Sequence, residues 1–311
     1  MNMNKKIIFS AISIIIFWTG VELFYRTFKQ CDNLSLNSFS LRICGEILGC
    51  YDEKIFWRLD GIYPDFGKEG YRIICLADSV SVMYGGHKEY PAMLENLLNK
   101  SIPDKKIKVF NAGVPGYTSF QGYLYLKNEL IRQKPNFVTL NFGPNDHSCA
   151  LNGKADKEQR VGKSLLDKLF HRSRFYCCYK NWIKNVRLKY YKHNVDAGKS
   201  RVSMQDFEDN LISMIDLCRL NNCKVIMLTS FYLDKGQSWV ETHKRYNDII
   251  TLVAVRRKVN LIDLAEQFSK RSDLFIDPEK DHVHINMKGY EIVARALYEV
   301  IRDYINAKEG V

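Results

Sequence analysis

Ile73-Ile-Cys-Leu-Ala77-Asp78-Ser79-Val-Ser81 is an apolar run that stops abruptly in a turn carrying a carboxylate and two hydroxyls. An unbroken apolar run with no polar alternation is the pattern of a strand covered on both faces, as in a parallel sheet. The arrangement recurs downstream. Ile107-Lys-Val-Phe110 leads into Asn111-Ala-Gly-Val-Pro-Gly116, and Phe137-Val-Thr-Leu-Asn-Phe142 leads into Gly143-Pro-Asn145-Asp146. Lys224 to Leu228 and Val259 to Ile262 give a fourth and a fifth strand. Helical spacing fills the intervals: Tyr90 to Leu98 with Pro91 suited to a first turn, Phe120 to Ile131 before the breaker Pro135, Phe207 to Leu220, Val240 to Val255, and a last helix from about Met287 to Tyr304. Strands alternating with helices predict a parallel sheet with helices on both faces. The expected fold class is α/β, a three-layer α/β/α, flavodoxin-like parallel five-stranded sheet, preceded by an N-terminal transmembrane helix.

In an open α/β sheet, ligands collect outside the carboxyl ends of the strands. Ser79 follows the first strand, Gly116 the second and Asn145 the third, while Asp281-His-Val-His284 lies between the fifth strand and the last helix. Four separate motifs therefore meet at one edge, and together they hold the parts for acyl transfer. A serine hydroxyl needs a base within hydrogen-bond reach. His284 fits, since the reference pKa of histidine lies near neutrality, and Asp281, three residues earlier, is placed to reach the other ring nitrogen and fix the tautomer. A tetrahedral intermediate needs preorganised donors, and a glycine without a side chain lets its backbone approach the substrate. Asp78 and Asp146 read as hydrogen-bonding supports for their loops rather than as catalysts. Each motif alone has a plainer reading: Ser79 as a helix N-cap, Gly116 in a type II turn after Pro115, Asn145 as a turn former beside Pro144. His282-x-His284 with Asp281 lacks a distant third ligand set, so no metal is expected. No GxGxxG follows a strand and no GxxxxGK[ST] occurs, so no nucleotide cofactor, and no cofactor of any kind, is expected. His87 and His147, near the first and third motifs, suit a pocket lining or the surface equally.

Taken jointly, these motifs resemble the SGNH (GDSL) hydrolase superfamily, whose four blocks supply Ser, Gly, Asn and His. Ala77-Asp-Ser-Val-Ser81 is similar to the nucleophile block, Asn111 through Ser119 to the glycine block, Gly143-Pro-Asn-Asp146 to the asparagine block and Asp281-His-Val-His284 to the Asp-x-x-His block. Asn286-x-x-Gly289-Tyr290 also fits, and the resemblance covers roughly residues 71–305. It implies Ser79, His284 and Asp281 as catalytic residues, and the Ser79 N–H, the Gly116 N–H and the Asn145 side-chain amide as oxyanion donors. One departure stands out: Ala77 occupies a place where the family usually has Gly, and a methyl there demands an ordinary backbone angle. The implied activity is that of a serine esterase or O-acyltransferase acting on an acylated glycan or lipid through an acyl-serine. The alternatives are a lysophospholipase-like esterase and an inactive glycan-binding membrane scaffold.

The 311 residues are 46% hydrophobic, enough for a substantial core, and carry a formal net charge of +11, which favours a polyanionic neighbour or a membrane surface. The charge is local. Asn152 to Val202 holds fourteen Lys/Arg against four acids, interleaved with Phe170, Phe175, Tyr176, Tyr179, Trp182, Tyr190 and Tyr191. Such a segment suits anionic head groups or a charged glycan; its plainer reading is a solvated helical excursion. No nucleic-acid partner is expected. At the N-terminus, Lys5-Lys6 precede an apolar run from Ile7 to Tyr25 broken by one charge, Glu22. As a helix it is long enough to match a hydrocarbon core of ~30 Å, and no small-x-small cleavage site follows it. The expectation is an uncleaved single-pass anchor with an extracytoplasmic catalytic domain, although Lys5 and Lys6 against Arg26, Lys29 and Arg42 favour that orientation only slightly. The expected organisation is 1–25 membrane anchor, 26–70 connecting arm and 71–308 hydrolase domain with a basic insertion at 152–202. The nine cysteines contain no CxxC pair. Cys75 reads as a small core residue, whereas Cys31, Cys44 and Cys50 are candidates to pair among themselves in an oxidising compartment.

Overall fold

The computed structural model describes residues 17–24, 42–43, 46–47, 49–52, 55–59, 64–66, 70–82, 89–150, 153–159, 170, 173, 175–176, 179 and 198–309. The chain forms two compact units, one of Met1–Asp60 with Arg160–Val195 and one of Gly61–Gln159 with Asp196–Val311.

The larger unit is built on five parallel strands, β1 (Tyr71–Ala77), β2 (Ile107–Asn111), β3 (Phe137–Asn141), β4 (Lys224–Leu228) and β5 (Asn260–Ile262), in the order β2-β1-β3-β4-β5. Cys75 lies opposite Asn111 on one side and Thr139 on the other, and Ala77 lies opposite Asn141. The order reverses between β1 and β3, which is where ligands collect in doubly wound sheets. The expected sheet is therefore present, with its strands in the expected places.

Helices α1 (Tyr90–Ser101), α2 (Ser119–Asn128), α3 (Met204–Leu220), α4 (Val240–Arg257), α5 (Ala265–Ser269) and α6 (Met287–Glu309) connect and cover the strands. The pleat divides the strand residues between two faces. Ile73, Cys75, Ile226 and Leu228 join Leu94 and Leu98 of α1 and Val293, Leu297 and Ile301 of α6 in one core. Ile74, Leu76, Val225 and Met227 are as well buried but belong to the opposite face. Burial on both faces is why these strands read as unbroken apolar runs.

Several boundaries differ from the periodicity for local reasons. α2 ends at Asn128, and Leu130–Gln133 form a separate 3-10 turn closed by Lys134 in the left-handed region. α3 begins three residues before Phe207, because the Ser203 hydroxyl accepts the Asp206 N–H at 3.1 Å and caps it. The short helix α5 carries too few residues to show a period.

In the smaller unit, residues 17–24 are helical. Trp18 packs on Phe170 and Phe175 with ring centroids at 5.3 and 5.1 Å, and the Glu22 carboxylate accepts bonds from the Ser173 hydroxyl and the Phe175 N–H. Part of the N-terminal apolar run thus packs on part of the basic insertion. Where a plain arm was expected, Arg42–Ile43 pairs with Glu46–Ile47 and Gly49–Asp52 with Phe56–Leu59, both antiparallel. Among the described residues no helix is long and apolar enough to cross a membrane. Most of the expected anchor, residues 7–16 and 25, lies outside the described residues, as do Cys31, Cys44, the side chain of Cys50 and His87.

Candidate active site

β1, β2 and β3 each deliver one piece of the site beyond their carboxyl ends, and the fourth comes from the segment between β5 and α6. β1 stops at Asp78, whose carboxylate accepts the Val80 N–H at 2.9 Å and caps the 3-10 turn Ser79–Ser81. This turn lifts Ser79 out of the buried end of the strand to a half-buried position. Ala77 closes β1 without a positive φ and without exposure, so the methyl that departs from the SGNH pattern is accommodated as an ordinary core side chain.

The chain beyond β2 stays beside β1: the Ala112 N–H donates to the Cys75 carbonyl and the Val114 N–H to the Ala77 carbonyl. Gly113 crosses the first turn so closely that a Cβ there would sit 1.8 Å from the Ser81 hydroxyl oxygen. Pro115 and Gly116 then form the corner of a turn closed by the Tyr117 N–H on the Val114 carbonyl. Gly116 has φ +79, which suits the second corner position of a type II turn. The Gly116 N–H belongs to the central peptide of that turn and takes no part in the bond that closes it.

After β3, Asn145 donates from Nδ2 to the Asp78 carboxylate at 2.9 Å. The amide carries a second hydrogen on the same nitrogen, which that bond leaves available. The adjacent Asp146 turns inward, and its Oδ1 accepts the Ser119 N–H at 2.8 Å and the Ser119 hydroxyl at 2.6 Å. Both acids beside the candidate site residues thus make hydrogen bonds that support their loops, as expected from the sequence.

The fourth motif closes the set. His284 Nε2 is 2.9 Å from Ser79 Oγ, and His284 Nδ1 is 2.7 Å from Asp281 Oδ2. Asp281 Oδ1 also accepts the backbone N–H groups of Val283 and His284 at 3.1 Å each. The segment is held from outside by the Leu233 N–H on the His282 carbonyl and the Ile276 N–H on the His284 carbonyl. Both ring nitrogens of His284 are engaged, which leaves neither for a metal.

The electrostatics follow from burial and from these partners. Burial alone would lower the His284 pKa, but the hydrogen bond and charge of Asp281, with the charge of Asp78, outweigh it and hold the imidazole above its ordinary 6.5. Burial would raise Asp281, but its bonds to His284 dominate and hold it below the usual carboxylate value. Asp78 is pushed up to about 6 and Asp146 to about 7, in both cases chiefly by complete burial.

Arg201, Asp156 and His243 carried no sequence signal, whereas His147 stood out only as a residue near the third motif. Arg201 donates to the Gly116 carbonyl at 2.9 Å and forks onto Asp156 at 2.9 and 3.3 Å. His147, half-buried, bonds through Nε2 to His243 Nδ1 at 2.9 Å and stacks on Trp239. His243 Nε2 reaches the Ser230 carbonyl at 3.1 Å, and burial depresses both imidazoles, to about 4 and about 3. This neutral pair ties the turn after β3 to α4. Contacts of this kind join residues far apart in the chain, so no local pattern announces them.

With this geometry in view, the profile of the GDSL-like Lipase/Acylhydrolase family matches residues 75–292, which include all four motifs. The chain belongs to that family. The lipoprotein YqeF of Bacillus subtilis (strain 168), itself uncharacterized, is 24% identical to this family member over 250 residues, covering 70% of this chain and 82% of the relative. Among solved structures, the lipase/acylhydrolase from Enterococcus faecalis superposes with a TM-score of 0.50 at 21% identity, over 75% of this chain and 96% of its own. Axe2, an acetylxylan esterase from Geobacillus stearothermophilus, superposes with a TM-score of 0.51 at 19% identity, over 74% and 94%. At these identities the structural likeness is one of fold.

Proposed function

We propose that this chain is a serine esterase or O-acyltransferase that acts on an acylated glycan or lipid through an acyl-Ser79 intermediate. The observation that carries the reading is the continuous relay Ser79 Oγ–His284 Nε2 and His284 Nδ1–Asp281 at 2.9 and 2.7 Å. With Nδ1–H held on Asp281, Nε2 is unprotonated and takes the Ser79 proton as Oγ attacks the ester carbonyl. The oxyanion that forms is stabilised by the Ser79 and Gly116 N–H groups and the second hydrogen of the Asn145 amide. His284 returns the proton to the departing alkoxide. It then activates either water, giving hydrolysis, or an acceptor hydroxyl, giving transfer.

An acetylated glycan is favoured among substrates because a structural neighbour is an acetylxylan esterase. Placement at a membrane, outside the cytosol, is part of the proposal. The apolar run from Ile7 to Tyr25, the basic insertion and the lipoprotein description of the Bacillus relative support it. So is the division into a 1–25 anchor, a 26–70 arm and a 71–308 catalytic domain. Full-length chain released from membranes by a high-salt wash alone would contradict the anchor.

The test of activity is a panel of short and long acyl esters presented to wild type and Ser79→Ala. Turnover of at least one ester by wild type, and near-complete loss in folded Ser79→Ala, is expected. Substantial turnover by folded Ser79→Ala would overturn the mechanism.

A further inference from the structure

Arg201 stands where the chain returns from the basic insertion, and its side chain is only 13% exposed. The two ends of that insertion are fastened together by antiparallel backbone bonds. The Ala150 N–H donates to the Lys199 carbonyl, the Arg201 N–H to Ser148 and the Val202 N–H to Asp146, each at 2.8 to 3.0 Å. The guanidinium then spends its donors on one spot. Nη1 bonds the Gly116 carbonyl at 2.9 Å, Nη2 and Nε fork onto Asp156 at 2.9 and 3.3 Å, and Nη2 also reaches Gln121 at 3.3 Å. Asp156, 3% exposed, takes a further bond from the Thr118 hydroxyl at 2.9 Å, and Gln121 accepts the Thr118 N–H at 2.9 Å. Residues 116, 118 and 121 are thus gripped from one point.

From this geometry we infer that Arg201 is a positioning residue, which fixes the Gly116 peptide so that its N–H points at the oxyanion. The inference rests on the esterase reading above. Glycine is the residue with the widest freedom in both backbone dihedrals. At Gly116 the turn bond from Tyr117 N–H to Val114 restrains the backbone around the corner, and Arg201 holds the carbonyl on its far side. Without Arg201 the Gly116–Tyr117 peptide loses this anchor on its carbonyl, and the direction of the preceding N–H is less well defined. A planar fork suits this role, because it engages the carboxylate with two nitrogens while a third reaches the carbonyl, which a lysine ammonium cannot do in one geometry.

Arg201 does not touch the reacting atoms, so its loss should show in the chemical step rather than in substrate binding. Removing it alone strands a buried carboxylate, which can unfold the chain. The informative variant is therefore Arg201→Met combined with Asp156→Asn, beside Arg201→Lys. Steady-state kinetics on the best ester, labelling of Ser79 by a fluorophosphonate probe and thermal melting are measured on the full chain. The double variant is expected to fold and to lose kcat by on the order of 10- to 100-fold, with KM changed less than about threefold. Arg201→Lys should recover part of that loss. A folded double variant with wild-type kcat, or with a loss confined to KM, beside a labelled and active wild type, overturns the inference alone. A wild type that neither labels nor turns over any ester overturns the esterase reading, and the inference with it.

Discussion

In the proposed mechanism the Ser79 hydroxyl needs a neutral imidazole as its acceptor, and Asp281, 2.7 Å from the other ring nitrogen, holds the proton there. This dependence sets a pH profile with a definite sign. His284 must be unprotonated to act, and Asp281 and Asp78 hold its pKa above 6.5. Activity is therefore lost as pH falls through a value above 6.5. The acid limb of kcat/KM should report it, and Asp281→Asn should move that limb to lower pH while reducing the rate. An acid limb unmoved in Asp281→Asn would assign it to another group. Asn145→Ala should lower kcat by on the order of 10²–10³, the usual cost of one oxyanion donor, and, because Asn145 also donates to the buried Asp78 carboxylate, should lower the melting temperature. Ser79, His284 and Asp281 were legible in the sequence because each sits in a motif at a strand end or before the last helix. Arg201, Asp156 and His243 were not, because their meaning comes only from partners 85, 38 and 96 residues away.

Among elements, the strand-end turns do the assembling. The loop after β2 can lie against the turn after β1 only because Gly113 has no side chain; a Cβ would also come within 3.0 Å of the Asp78 carbonyl oxygen. Gly113→Ala should push the two loops apart. Overpacking of this kind costs typically 1–3 kcal/mol, so calorimetry should show a lowered melting temperature together with reduced activity. A variant that melts and turns over like wild type would mean that the loops are not packed as described. The inner strands β1, β3 and β4 were readable because burial on both faces leaves largely apolar runs such as Ile73 to Leu76 and Val225 to Leu228, while the edge strands β2 and β5 are only partly buried. Helix ends were less readable, because a cap at Ser203 or a left-handed residue at Lys134 ends or starts a helix independently of the apolar period. The hairpins between Arg42 and Leu59 were missed, since two- and four-residue strands are too short to show alternation.

Across the whole molecule, fully buried acids make stability depend on pH. Asp146 titrates near 7 when folded and near 3.8 when unfolded, so between those values the folded chain binds a proton that the unfolded chain has released. Stability therefore falls as pH rises from about 4 to about 7. Asp146→Asn, an imitation of the protonated acid, should flatten that part of the melting-temperature profile; an unchanged slope would place the Asp146 proton elsewhere. The central claim, covalent catalysis by Ser79, has a direct test. The full chain is mixed with an aryl ester of a bulky, slowly hydrolysed acyl group, quenched in acid and digested, and its peptides are weighed. One acyl group on the peptide that carries Ser79, absent from Ser79→Ala, is the expected result. Ester turnover with Ser79 never acylated, or with the acyl group on another residue, would contradict it.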